Sequence, residues 1–370
     1  MELMIEDLME QLVEKGGSDM HIQAGAPVYF RYNGKLQPVG DEPLTPQETQ
    51  RLIFSMLNNN QRKQLEQSWE LDCSYGVKGL ARFRVNVYKE RGCYAACLRA
   101  LSSKIPNYEK LGLPEVVKEM AGRPRGLILV TGPTGSGKTT TLAAILDMIN
   151  RSRYEHVLTV EDPIEYVFPN EKCLFHQRQK GEDTKSFADA LRAALREDPD
   201  IILVGELRDL ETISLAVTAA ETGHLVFGTL HTSSAAATVD RMVDVFPADQ
   251  QEQIRAQLSG SLIAVFSQCL PKKQNPKPGE FGRALAQEIM VVTPAIANQI
   301  REGKTSQIYS SIQTGMKLGM QTMEQSLASW VNQGAISMEE ALSKSSKPDE
   351  LYRLTAGGAG KTKAKTNARR

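Results

Sequence analysis

GLILVTGPTGSGKTTTLAAILDMI, residues 126–149, decides the fold. GLILV is a short apolar run of the kind that forms a buried strand. TLAAILDMI carries helical periodicity, and Gly132 to Thr139 between them fits GxxxxGK[ST] without deviation. Glycines let the backbone wrap its N–H groups around a phosphate, and the helix N-terminus adds a positive dipole end. The strand, loop and helix therefore predict a nucleoside triphosphate site. Its residues are Gly132, Pro133, Thr134, Gly135, Ser136, Gly137, Lys138 and Thr139, with Thr140 following. Lys138 is expected on the β- and γ-phosphates and Thr139 on Mg²⁺. A second GKT, in AGGAGKTK near residue 360, has Thr355 where the leading glycine belongs and no strand before it, so it is read as tail.

Outward from the loop, HVLTV, DIILV and HLVFGTL repeat the short aliphatic pattern and alternate with helical stretches. Such runs predict an α/β domain with a parallel sheet buried on both faces. Ligands bind beyond the carboxyl ends of parallel strands, so the residues just past each run are the candidate site. They are Glu161, Asp162 and Glu165 after the second strand, Glu206 after the third and His231 after the fourth. Carboxylates beside a triphosphate handle Mg²⁺ or the attacking water. Glu161 and Glu165 are both candidates for the base, and the sequence does not choose between them. Glu206 is displaced by one residue, because Gly205 stands where many P-loop proteins have aspartate. Thr139, Glu206 and Asp162 are the candidate metal ligands. Asn-Lys-x-Asp, the guanine-reading signature, is absent, which favours ATP. His231 is expected near the γ-phosphate, whereas His224 starts its strand about 20 Å away, with Gly223 as the C′ residue of the preceding helix.

Length and composition frame the rest. The 370 residues carry 44 basic and 44 acidic side chains. That length predicts more than one domain, and the neutral balance argues against a protein that coats nucleic acid. Residues 1–103 mix helices with alternating strands, including a hairpin signal at Asn33-Gly34, and read as a small α+β domain. Residues 104–125, rich in proline and glycine, read as a linker or hinge with a short helix. Residues 126–290 form the nucleotide-binding core, 291–355 a helical C-terminal region and 356–370 a disordered basic tail. Cys73, Cys93, Cys97, Cys173 and Cys269 form no CxxC pair, as expected of free thiols in a reducing cytoplasm. No apolar run approaches the ~20 residues a membrane span needs, so membrane contact is expected only through a partner.

GPTGSGKTT, TVEDPIEYV and LRAALREDPDIILVGELRDLETISLAVTAAETGHLVFGTLHTSSA together resemble the secretion ATPase superfamily of type II secretion and type IV pili. The resemblance covers roughly residues 1–355. It implies a hexameric ring of subunits, each with an N-terminal PAS-like domain and a RecA-like P-loop ATPase domain, with ATP at subunit interfaces. It also implies an acidic box over Glu161–Glu165, a Walker B segment ending at Glu206 and a histidine box holding His224 and His231. The family's N-terminal arginines fall in ARFRVNVYKERG, at Arg82, Arg84 and, as a third candidate, Arg91. Alternation places Arg82 and Arg84 on one strand face, which suits either a solvated surface or a two-pronged phosphate contact.

The missing tetracysteine zinc spacing and short N-terminal region favour the pilus-retraction branch of that superfamily. Retraction members carry a motif close to AIRNLIRE, and Ala295–Glu302 reads AIANQIRE, with Ala297 and Gln299 as departures. Ile296 and Ile300 are expected as its buried stripe, with Arg301 beside them. The resemblance further implies an inner-membrane pilus platform protein as partner, a paralogous retraction ATPase as a second candidate partner, and a cytoplasmic location at the membrane face of the pilus machine.

Overall fold

The computed structural model describes residues 3–32, 34–101, 104–277 and 280–355, and the basic tail expected at 356–370 lies outside them. The chain divides into two compact units. One is Met1–Ile105 with Pro163–Val167, the other Pro106–Asp162 with Phe168–Arg370.

The first unit is built on six strands: β1 (Asp19–Ile22), β2 (Val28–Tyr32), β3 (Lys35–Val39), β4 (Glu70–Val77), β5 (Ala81–Glu90) and β6 (Cys93–Leu101). They form one antiparallel sheet in the order β3-β2-β1-β6-β5-β4. The predicted hairpin joins β2 to β3, with Tyr32 opposite Lys35; Asn33 of its turn lies outside the described residues. Alternation on β5 buries Phe83, Val85 and Val87 in the same core as Ile5, Leu8, Met9 and Leu12 of the first helix. The helix Pro46–Ser55 starts with a reciprocal capping box between Thr45 and Glu48, so two otherwise orphaned N–H groups are satisfied.

The second unit carries β7 (Gly126–Thr131), β8 (His156–Glu161), β9 (Leu174–Gln179), β10 (Ile201–Val204), β11 (Leu225–Leu230), β12 (Leu262–Cys269) and β13 (Ala286–Val291). The order is β13-β12-β7-β11-β10-β8-β9, parallel throughout except for β13. The four strands read from sequence occupy its middle, and every residue of β7, β10 and β11 is buried. β9, polar and at one edge, and the β12/β13 pair at the other, escaped that reading. Past β13 only helices follow among the described residues.

The segment read as a hinge is more ordered than its composition suggests. It holds two helices, Tyr108–Leu111 and Glu115–Ala121, and buries Val116 and Val117. Gly319 packs so closely on Val116 that a Cβ there would meet its side chain at 2.7 Å. Prolines 106 and 114 precede helices rather than open chain, as proline's fixed φ allows at a helix start.

Glu288, nearly inaccessible on β13, accepts the Ala235 N–H at 2.7 Å and so caps the helix Ala235–Asp244. Burial raises its carboxyl above the usual range, and this outweighs the stabilising pull of that N–H. An acid with a raised folded pKa favours folding below its unfolded pKa, and that contribution disappears as pH rises through the folded value. The difference in melting temperature, Glu288→Gln minus wild type, should therefore increase between about pH 5 and about pH 8. A difference that is flat or falls would contradict this assignment.

Candidate active site

The loop between β7 and the helix Lys138–Ser152 turns on three glycines with positive φ: Gly132 at 142°, Gly135 at 78° and Gly137 at 85°. At Gly132 a Cβ would lie 2.3 Å from the Gln268 carbonyl oxygen, so neither the dihedral nor the space admits a side chain. The helices that follow β9, β10 and β11 begin with a side-chain cap, from Ser186, Asp209 and Ser234. The helix after the loop has Gly137 as its N-cap and no side-chain cap. The positive end of its dipole therefore faces the loop, as an anion site requires. Lys138 donates to the Gly132 carbonyl at 2.8 Å and the Pro133 carbonyl at 3.3 Å, holding its ammonium over the loop.

Register places the other candidates on the same sheet edge. Leu230 pairs with Thr131, and Val204 pairs with both Val160 and Gly228. Glu161, Asp162, Glu206 and His231, which follow these strands, therefore lie at the same sheet edge as the glycine loop. Gly205 donates its N–H to Val160 at 2.8 Å, and a Cβ there would sit 3.1 Å from that same carbonyl. The acid follows one residue later, at Glu206. Thr229 bonds the Gly205 carbonyl at 2.5 Å and fixes the turn that presents Glu206.

One oxygen of Glu206 accepts from the Arg208 guanidinium and lies 3.1 Å from His231 Nε2. The carboxylate raises Arg208 further above its ordinary range. The histidine expected near the γ-phosphate thus lies against the acid. Arg208 carried no sequence signal beyond its position two residues after Glu206.

Glu161, buried at the end of β8, accepts Thr159 Oγ1 at 2.7 Å and Gln177 Nε2 at 3.3 Å. Asp162 is exposed and pairs with Lys180 at 3.0 Å. Glu165 falls in the segment Pro163–Val167 that belongs to the first unit. Arg82 and Arg84 also lie in that unit, on the face of β5 opposite Phe83 and Val85. Arg82 donates to Ser74 Oγ at 2.6 Å, while Arg84 is exposed opposite Arg99. Arg91 is not on the strand. With φ of 49°, followed by Gly92 at 81°, it forms the turn between β5 and β6, as expected of a two-residue hairpin loop.

His224 sits at the far end of β11, where its carbonyl accepts the Gly126 N–H. Its ring Nδ1 and its backbone N–H both bond the Ala219 carbonyl, at 2.9 and 3.1 Å, closing the C-terminus of the helix Leu210–Glu221. The two histidines of HLVFGTLH thus serve opposite strand ends. His224→Ala is expected to lower stability by about 1 kcal/mol through the lost ring bond, with the KM for ATP unchanged. Thermal unfolding together with steady-state kinetics checks this, and a raised KM at unchanged stability would refute it.

In the C-terminal region Ile296 and Ile300 are fully buried. Arg301 donates to Ser259 on the helix Gln251–Ser261, and Gln299 exchanges hydrogen bonds with Ser311.

A glycine loop on a central parallel strand, an uncapped helix behind it and acids on the adjoining strand ends define a P-loop nucleoside triphosphatase. The family model for type II/IV secretion system proteins matches residues 1–343, and the chain belongs to that family. It is 52% identical to the type IV pilus retraction ATPase PilT of Pseudomonas aeruginosa, across 94% of this chain and 99% of that protein. It is 50% identical to a twitching motility protein of Neisseria gonorrhoeae, across 84% and 82%. The crystal structure of the pilus retraction motor PilT with bound ADP superposes with a TM-score of 0.89, at 51% identity, covering 95% of this chain and all of that one.

Proposed function

We propose that this chain is an ATP-hydrolysing motor that powers type IV pilus retraction and so twitching motility. It works as a homohexamer at the cytoplasmic face of the inner membrane, on a pilus platform protein. Near-full-length kinship to PilT carries the retraction assignment, and the Glu206, Arg208 and His231 cluster beside the glycine loop supports the chemistry. Among the described residues no helix is long and apolar enough to cross a membrane, in keeping with action through a partner.

In this reading the N–H groups of Gly135 to Thr139 and the Lys138 ammonium bind the phosphates. Glu206, aligned by His231 and Arg208, orients or deprotonates the attacking water, and Glu161 and Glu165 remain the alternative bases. The Thr139 hydroxyl and the Glu206 carboxylate are hard oxygen donors of the kind Mg²⁺ selects, with Asp162 a further donor once released from Lys180. When bound, the ion neutralises phosphate charge. Arg82 and Arg84 supply two cations from the N-terminal unit to the phosphates, and ATP binding and hydrolysis close and reopen the subunits in turn.

The purified protein should hydrolyse ATP in the presence of Mg²⁺ while sedimenting as a hexamer. A nucleotide-binding ring with no turnover of its own would instead make it an accessory partner of a paralogous motor.

A further inference from the structure

β12 lies parallel to β7 and delivers its last residues alongside the nucleotide loop, with Ser267 opposite Thr131 and their hydroxyls 2.8 Å apart. The next side chain, Gln268, is 1% exposed and used by no step above. Its amide meets the loop at two points. Nε2 donates to the Ser136 carbonyl at 2.7 Å, and Oε1 accepts the Thr141 hydroxyl, in the first turn of the following helix, at 3.1 Å. Its backbone carbonyl is also the atom that a Cβ at Gly132 would strike. The Ser136 carbonyl only accepts, so the amide orientation is fixed by chemistry.

That orientation has a geometric consequence. A trans peptide points its C=O and the next N–H in opposite directions. Holding the Ser136 carbonyl back on Gln268 therefore turns the Gly137 N–H the other way, out from β12. Glycine at φ 85° offers little resistance of its own to a flip of this peptide, so an external hold is needed.

The amide is itself held. Gln287 Nε2 donates to Gln268 Oε1 at 3.2 Å from the neighbouring β13. The Gln287 backbone is bonded in turn by Ser326 Oγ at 3.1 Å and Gln321 Nε2 at 2.9 Å, at the start of the helix Met323–Asn332.

We propose that Gln268 is a positioning residue of the nucleotide loop, aiming the Gly137 N–H at the bound phosphate and tying the loop through Gln287 to the C-terminal helices. The inference rests on the ATPase reading. Failure of the wild-type protein to bind ADP would defeat that reading, whereas unchanged binding by Gln268 variants defeats this one alone.

The test is titration with the fluorescent analogue mant-ADP for wild type, Gln268→Met and Gln268→Glu, at about pH 8 and about pH 5.5. Methionine keeps the volume and removes both polar groups. Ionised glutamate can still accept from Thr141 and Gln287 but cannot donate to Ser136, and protonated glutamate can do both. Relative to wild type at the same pH, Gln268→Met should bind roughly tenfold more weakly at both values, the scale of one buried hydrogen bond. Gln268→Glu should show a larger loss at the higher pH and recover most of it at the lower one. Should the methionine variant melt too low to assay, the glutamate variant carries the test, since its protonated form restores every bond. Wild-type affinity in Gln268→Glu at both pH values, or a loss that pH does not move, overturns the proposal.

Discussion

Lys138→Ala is expected to reduce steady-state ATP hydrolysis at least ~100-fold, the scale found when one preorganised donor to a developing charge is removed. Lys138 is the first residue of its helix, and its ammonium bonds two carbonyls of the loop it belongs to. A triphosphate in that loop offers charged oxygens instead, and charge-assisted bonds are roughly twice as strong as neutral ones. Alanine is the best helix former, so the variant should lose the cation and keep the helix. Phosphate release by the purified variant measures the effect, and a rate within about threefold of wild type would contradict the role, given the size of the expected loss.

The second large effect is expected at Glu206. Glu206→Gln keeps the shape and one acceptor oxygen but removes the charge that holds Arg208 and the ability to take a proton from water. Turnover should fall by about 10²- to 10⁴-fold, the range for a general base. ADP binding should persist, because the loop's own N–H groups and Lys138 supply it. Isothermal titration beside the hydrolysis assay separates the two readouts. Weak ADP binding with preserved turnover would reverse the assignment of roles between the loop and the acid.

The nucleotide loop was legible because its chemistry is local. Positive φ at Gly132, Gly135 and Gly137 leaves a fixed glycine spacing, and the strand and helix on either side declare themselves by periodicity. The four middle strands were equally legible, since burial on both faces demands unbroken aliphatic runs. The edges of the sheet were not. β9 reads LFHQRQ because one edge faces water, and β13, AQEIMV, breaks its apolar pattern with Gln287 and Glu288.

What the site owes to residues distant in sequence stayed hidden for the same physical reason. Gln268 looks like a stray polar residue on an apolar strand until β12 is placed beside β7. Arg208 looks like one more surface charge until Glu206 turns toward it. His231, by contrast, follows its strand directly, and the chain order of the strands already sets it beside Glu206. Arg91, the third arginine candidate, lies in the turn between β5 and β6 rather than on the strand that carries Arg82 and Arg84. Of the two helices in the segment read as a linker with a short helix, composition hides the second, because prolines that start helices and prolines that prevent them look alike.

The central claim is that this ATPase drives retraction rather than extension of a type IV pilus. The direct measurement is deletion of its gene in the source cells, with complementation by wild type or Lys138→Ala, scoring surface pili by electron microscopy and movement by twitching zones. The account predicts hyperpiliated, immotile cells, restored by the wild-type gene and not by the Lys138→Ala gene. Cells that lose their pili altogether, or that twitch normally with the Lys138→Ala protein alone, would contradict it.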